Sequence, residues 1–389
     1  MVSLVAIGDI EFSGMYFGRY EKIGQEKLGP ELVNARLSDQ IKGHVRANNS
    51  ELILDWLRNA DITFGNLETT LAKSRPHYHP RPSYYRLRSD PSRAEDLKLL
   101  GIDVVSLANN HLVDYDDEGI IDTIEALDSA GIKHVGGGMN LKEALAPAIF
   151  EIEGEKLGFL GFATAFQKAA ADDRAGVAAI RSKIVKEFDS LMLPTNYLPF
   201  YSVLPTIKEV PVKEDVQMMQ KCIKDLKKKV GFVAVSIHWG PGISIRASGG
   251  SGALIFEAAP TDCQRALGHA IVDAGADLVI GGHPHSAQGM EIYKNRQIFY
   301  SLANFAMQIE ADIARCELFM QEAYMVKVDI ENNKASRVEI LPTRTDETGF
   351  PMITEDYTNV IKHLEEVSAP LNVSVIPNKQ SAIIESIHK

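Results

Sequence analysis

"LVIGGHPHSA" (residues 278–287) decides how this sequence is read. An apolar run, Leu278–Ile280, reaches two glycines, and His283, Pro284 and His285 follow. A short Leu/Val/Ile run bounded by glycine predicts a buried strand. Two imidazoles one residue apart at its end either hold a ligand or are ordinary polar residues in a turn. The other strand ends decide between these.

Working outward, short apolar runs alternate with amphipathic ones. Strands are predicted over 2–7, 61–64, 102–107, 157–162, 231–237 and 297–302, and helices over 51–60, 91–100, 118–130, 213–229, 261–274 and 356–367. The runs 323–330 and 335–340 flank "ENNK", which reads as a hairpin turn. Apolar strands alternating with helices predict an α/β fold with mixed sheets, each covered by helices. One α/β domain is expected over 1–342. Residues 343–389 carry no motif and are expected as a helical extension packed on the domain or trailing from it.

In open α/β sheets, ligands bind beyond the carboxyl ends of the strands. Asp9 and Glu11 follow the first strand, and Asn66 and Glu68 the second. Asn109, Asn110, His111 and Asp114 follow the third. His238, the pair His283 and His285, and Asn304 follow the last three. A lone histidine after a strand is more often satisfied structural polarity. Six strand ends sharing carboxylates, amides and imidazoles need six such accounts, whereas a metal site needs one. The ligands suffice for two divalent ions sharing a carboxylate. Adjacent residues in a loop do not easily bind one ion, so His111, next to Asn110, is free to move a proton. Asp114 is placed to orient it.

The 389 residues carry a net charge of -11. This speaks against nucleic acid as partner, since a basic face is needed to displace counterions from phosphates. Three cysteines, all far apart, make no disulfide framework. The start, "MVSLVAIGDI", lacks the basic region and apolar length of a signal peptide, and no window approaches a membrane helix. The chain reads as cytoplasmic, without a membrane segment.

Taken together, "GDI", "DITFGNLET", "DVVSLANNHLVDY", "IHWG", "DAGADLVIGGHPH" and "IFYSLANF" resemble the CapA family of poly-γ-glutamate capsule biosynthesis proteins, within the calcineurin-like metallophosphoesterase superfamily. The resemblance runs from about residue 1 to 306. It implies a four-layer α/β/β/α sandwich with a dinuclear centre at the strand ends. Carried over, Asp9 and His285 bind the first metal, and Asn110, His238 and His283 the second. Asn66 or Glu68 stands at the bridging position. Glu68 is the expected bridge, since a carboxylate joins two cations better than an amide. The superfamily usually has Asp-x-His at the first strand end, and here it is Asp9-Ile10-Glu11. If Glu11 replaces the imidazole, the harder ligand set favours Mn, Mg or Ca over Zn, with Fe also open.

A metal-dependent hydrolase of this kind would attack a phosphoester, or an amide of γ-glutamyl type, in a small anionic or peptide substrate. His111 would protonate the leaving group. The same fold resembles enzymes that epimerise a peptide Cα, and a non-catalytic subunit of poly-γ-glutamate synthesis is the third reading. Two irregular stretches, 74–90 and 240–260, are expected to hold the substrate through Arg75, Arg81, Arg86, Arg88 and Arg246. Asn109 and Asn304 are expected beside them as substrate contacts. Oligomeric state has no sequence signal here.

Overall fold

Val2–Glu11 runs through the middle of the larger of the two main sheets, and every residue of it except Ser3 is buried. The computed structural model describes residues 1–11, 51–73, 86–187, 206–241, 259–307, 322–345, 351–353 and 357–386. On one side of Val2–Glu11 lie parallel strands Ile62–Leu67, Val104–Ser106 and Lys133–Val135. On the other lie antiparallel Glu322–Glu331 and Lys334–Thr345, joined through Asn332 and Asn333 at positive φ. Two central residues of that kind suit the twist of a tight hairpin, as "ENNK" predicts. The second sheet has six strands. Arg296–Phe299, Leu278–Gly282, Phe232–His238 and Glu155–Ala163 are parallel, with Met290–Tyr293 and Ala148–Ile152 antiparallel at the edges.

The sheets face each other across a core of side chains from both. Phe64 of the large sheet stacks on Phe159 of the small one, ring centroids 6.0 Å apart. Helices Glu51–Asn59, Arg93–Leu100 and Asp116–Ala130 bury Leu57, Leu97 and Leu127 in the core over the large sheet's outer face. Helices Lys213–Lys227 and Asp262–Asp273 set Met219, Ile223, Leu267 and Ile271 in the core over the small sheet's outer face. The second begins at a reciprocal cap between Thr261 and Gln264. The result is a four-layer α/β/β/α sandwich, in which strands covered on both faces must be apolar throughout.

Three expectations change. The first strand runs past Ile7 to Glu11, so Asp9 sits inside it. The strand expected over 297–302 stops at Phe299. Asn304 therefore does not follow it but opens a new strand, Asn304–Met307, parallel to the end of the first. The C-terminal segment is not only helical. Besides helix Tyr357–Ser368 it holds Pro351–Ile353, Val373–Asn378 and Ser381–Ser386, all in the large sheet. The helix buries Val360, Ile361 and Leu364 in the core between the sheets. The strands use the free edge of Lys334–Thr345, an edge that a lone helix would leave unpaired. No helix among the described residues is long and apolar enough to cross a membrane.

Candidate metal centre

Register brings the strand ends together. Asp9 pairs with Asn66 on one side and Asn304 on the other, with the pairing slipping next to Asp9 on both sides. In the small sheet His238 pairs with Gly282, so His283 leaves its strand beside His238. Two glycines permit the approach. A Cβ on Gly8 would stand 1.9 Å from the carbonyl oxygen of Ala303, and one on Gly282 would stand 2.5 Å from Asp9 Oδ1. His283 and His285 both hold positive φ, 97° and 54°. Backbone strain at two non-glycine residues in one turn is the kind that a functional constraint sustains.

Ligand atoms converge in two groups, each within 4.8 Å: Asp9, Glu68 and His238, and Glu68, His283 and His285. Glu68 belongs to both. The partition implied by the family resemblance has close approaches of its own. His285 Nδ1 lies 3.8 Å from Asp9 Oδ2, and the rings of His238 and His283 are 4.6 Å apart. Asn110 Oδ1 is 2.7 Å from His238 Nε2. Asn66 Nδ2 donates to Asp9 Oδ1 at 2.7 Å and lies 3.2 Å from His238 Nδ1, tying the two sheets together. Glu11 is fully buried but stands outside both groups.

The donor set fits divalent cations. Glu68 is fully buried, and neither oxygen meets a donor in hydrogen-bonding geometry, although His238 Nε2 stands 3.3 Å from Oε1. Nδ1 of His283 is likewise buried without a partner. Such atoms are costly to bury, and a cation among them removes that cost. Burial would raise the Glu68 pKa, yet the imidazoles of His285 and His238 outweigh it and hold the carboxyl well below its usual range. Burial, then the Glu68 charge, push Asp9 up to about 6. Burial, with His238 alongside, holds His283 well below the usual imidazole value, which keeps it neutral as a ligand must be.

Beside the ligands stands a dyad. His111 Nδ1 is 2.6 Å from Asp114 Oδ2, which also accepts from Leu87 N at 2.7 Å. Burial opposes charge on His111, but Asp114, then Glu68 and Glu11, outweigh it and raise its pKa. Asn109 and Asn304, expected on substrate, turn to protein atoms. Asn109 Nδ2 donates to Leu67 O at 2.8 Å, and its Oδ1 accepts from the backbone of His111 and Leu112. Asn304 Oδ1 is 2.8 Å from His285 Nδ1. Arg86 and Arg88 lie near Tyr115, whose phenol burial raises against their opposing charges. Arg75, Arg81 and Arg246 fall outside the described residues. One contact had no sequence signal: Gln167 Nε2 reaches Asp114 Oδ1 at 2.6 Å.

The model of the family described as bacterial capsule synthesis protein PGA_cap matches residues 29–309. The capsule biosynthesis protein CapA of Bacillus anthracis is 26% identical over 347 residues, covering 89% of this chain and 68% of the relative. A probable polyglutamine synthesis accessory protein of Mycobacterium tuberculosis (strain ATCC 25618 / H37Rv) is 26% identical over 364 residues, covering 88% and 83%. The PGA biosynthesis protein CapA of Bacillus subtilis (strain 168) is 26% identical over 286 residues, covering 73% of this chain and 62% of its own. With most of its length matched in this way, the chain belongs to the bacterial capsule synthesis protein PGA_cap family.

Proposed function

We propose that this protein is a metal-dependent hydrolase acting on a small anionic or peptide substrate. The observation that carries the reading is Glu68, a buried carboxylate that accepts no hydrogen bond at either oxygen and is shared by two ligand groups. Divalent ions bound there would polarise the scissile group and supply hydroxide near neutral pH. Asp9, Glu68, His238, His283 and His285 would hold them, with Asn110 at the edge. His111 holds a proton through Asp114's support and delivers it to the leaving group. Asn66 keeps Asp9 and His238 in place from between the sheets. Arg86, which precedes the Leu87 amide that donates to Asp114, would meet an anionic substrate.

Relatives named for capsule and polyglutamine synthesis favour an amide of a glutamyl chain as target over a phosphoester. Elemental analysis of protein purified without chelator tests the metal. Assays on aryl phosphates and γ-glutamyl peptides, after chelation and with Mn, Mg, Ca, Zn or Fe restored, test the reaction. Bound metal and metal-restored cleavage are expected. Absence of both would sink the reading in favour of a non-catalytic subunit. Deuterium entering Cα from heavy water without cleavage would move it to epimerisation.

A further inference from the structure

Segment 163–168 leaves the small sheet and crosses to the large one. At its start, Ala163 pairs with His238, and the amides of Thr164 and Ala165 both donate to the His238 carbonyl, at 2.9 and 3.3 Å. At its far end, Gln167 Nε2 donates to Asp114 Oδ1 at 2.6 Å and to the Asn110 carbonyl at 2.5 Å. Lys168 then pairs with Asp117, in the first turn of helix Asp116–Ala130. One short strap thus joins the backbone of a candidate ligand to the loop that carries both Asn110 and the dyad.

The chemistry at Asp114 makes the amide of Gln167 specific. Asp114 is fully buried, and Leu87 N and His111 Nδ1 both address Oδ2. Gln167 supplies the donor for Oδ1. With donors on both oxygens the carboxylate is held against rotation. As the acceptor facing Nδ1 of His111 it requires the hydrogen on that nitrogen, which leaves Nε2 as the nitrogen open to other partners. A glutamate of the same length would set a second acceptor against Oδ1. The Gln167 residue is itself exposed, yet its amide meets a buried oxygen.

We infer that Gln167 is a positioning residue of the active site, acting through Asp114 on the orientation and tautomer of His111. The inference deepens the hydrolase reading and rests on it only for its effect on turnover. The first readout is the His111 Nδ1 proton in 15N-histidine-labelled protein, assigned among the 11 histidines by its loss in His111→Ala. A downfield Nδ1–H signal is expected in the native chain, and its loss or broadening in Gln167→Ala and Gln167→Glu. Lys168→Ala loosens the same strap without touching Asp114 and should keep the signal. Metal content should be unchanged in all three. With Mn restored and an aryl phosphate or γ-glutamyl peptide as probe, kcat should fall about tenfold or more in Gln167→Ala with KM unchanged. A signal intact in Gln167→Ala, or lost equally in Lys168→Ala, overturns the inference. A native chain inactive on both probes would instead count against the hydrolase reading, with the Nδ1–H comparison still deciding the role of Gln167.

Discussion

His285 Nδ1 lies 2.8 Å from Asn304 Oδ1, although one residue leaves the small sheet and the other opens a strand of the large one. An amide oxygen accepts, so Nδ1 must carry the hydrogen. Nε2 is then the free lone pair, and it stands 3.8 Å from Glu68 Oε1. In the proposed metal centre, the strand Asn304–Met307 would therefore set which nitrogen of His285 faces a cation.

Asn304→Ala should weaken metal binding by about 10- to 100-fold, the usual cost of losing a group that orients a histidine ligand. The fold should survive, since the backbone pairing of that strand with Val2–Glu11 does not use the side chain. Metal titration followed by thermal melting of the metal-free protein checks this. Unchanged affinity would make the contact incidental.

The dyad predicts a pH limb. A leaving-group proton comes from the protonated imidazole, so activity falls as pH rises through the pKa of His111, which Asp114 holds above its ordinary 6.5. Asp114→Asn should move that basic limb to lower pH. His111→Ala should lose about 10²- to 10⁴-fold in rate and keep its metal. A fully active His111→Ala variant would remove the residue from the mechanism.

Much of this site is legible in the sequence because apolar runs that stop at Asp9, Asn66 and His238 can only be buried strands with polar ends. The register slip beside Asp9 is not legible, because pairing across a sheet leaves no local pattern. Asn304 reads as the tail of the preceding strand, since nothing local separates it from Leu302. Yet Ala303, at φ 61°, turns the chain there. Gln167 gives no signal at all. A glutamine in a loop is ordinary, and its meaning comes only from Asp114, 53 residues away. Strands Val373–Asn378 and Ser381–Ser386 are short and include Pro377, which is tolerated in a strand that edges the sheet.

Metal-free protein should respond to pH through Asp9. Its folded-state pKa of about 6 lies above the ordinary 3.8. A carboxyl raised in this way contributes stability fully below its unfolded value and loses it as pH rises through the folded one. Chelated native protein should therefore lose part of its stability between those values. Asp9→Asn should melt higher than the chelated native chain at neutral pH, with the gain shrinking in acid. Metal restored at neutral pH should stabilise the native chain and not Asp9→Asn. An equal melting temperature for both chelated proteins across this range would contradict the assignment of Asp9 as a buried, proton-retaining group.

The two glycines at the site predict different failures. A Cβ on Gly8 meets the backbone oxygen of Ala303, which is fixed by accepting from Asp9 N at 2.9 Å. Nothing there can yield without separating Val2–Glu11 from its neighbour, so Gly8→Ala should lower the melting temperature sharply. A Cβ on Gly282 crowds the end of the Asp9 side chain, which can swing away, and makes only ordinary contact with Asn66 Nδ2 at 3.6 Å. That swing breaks its bond with Asn66 and moves one carboxylate out of the ligand groups, while the backbone pairing of Leu278–Gly282 persists. Gly282→Ala should therefore melt near the native temperature once both proteins are metal-free, and should bind metal poorly. Melting curves with and without chelator separate the two cases. A Gly282→Ala protein with full metal content would show that Asp9 is not needed at the position the strands give it.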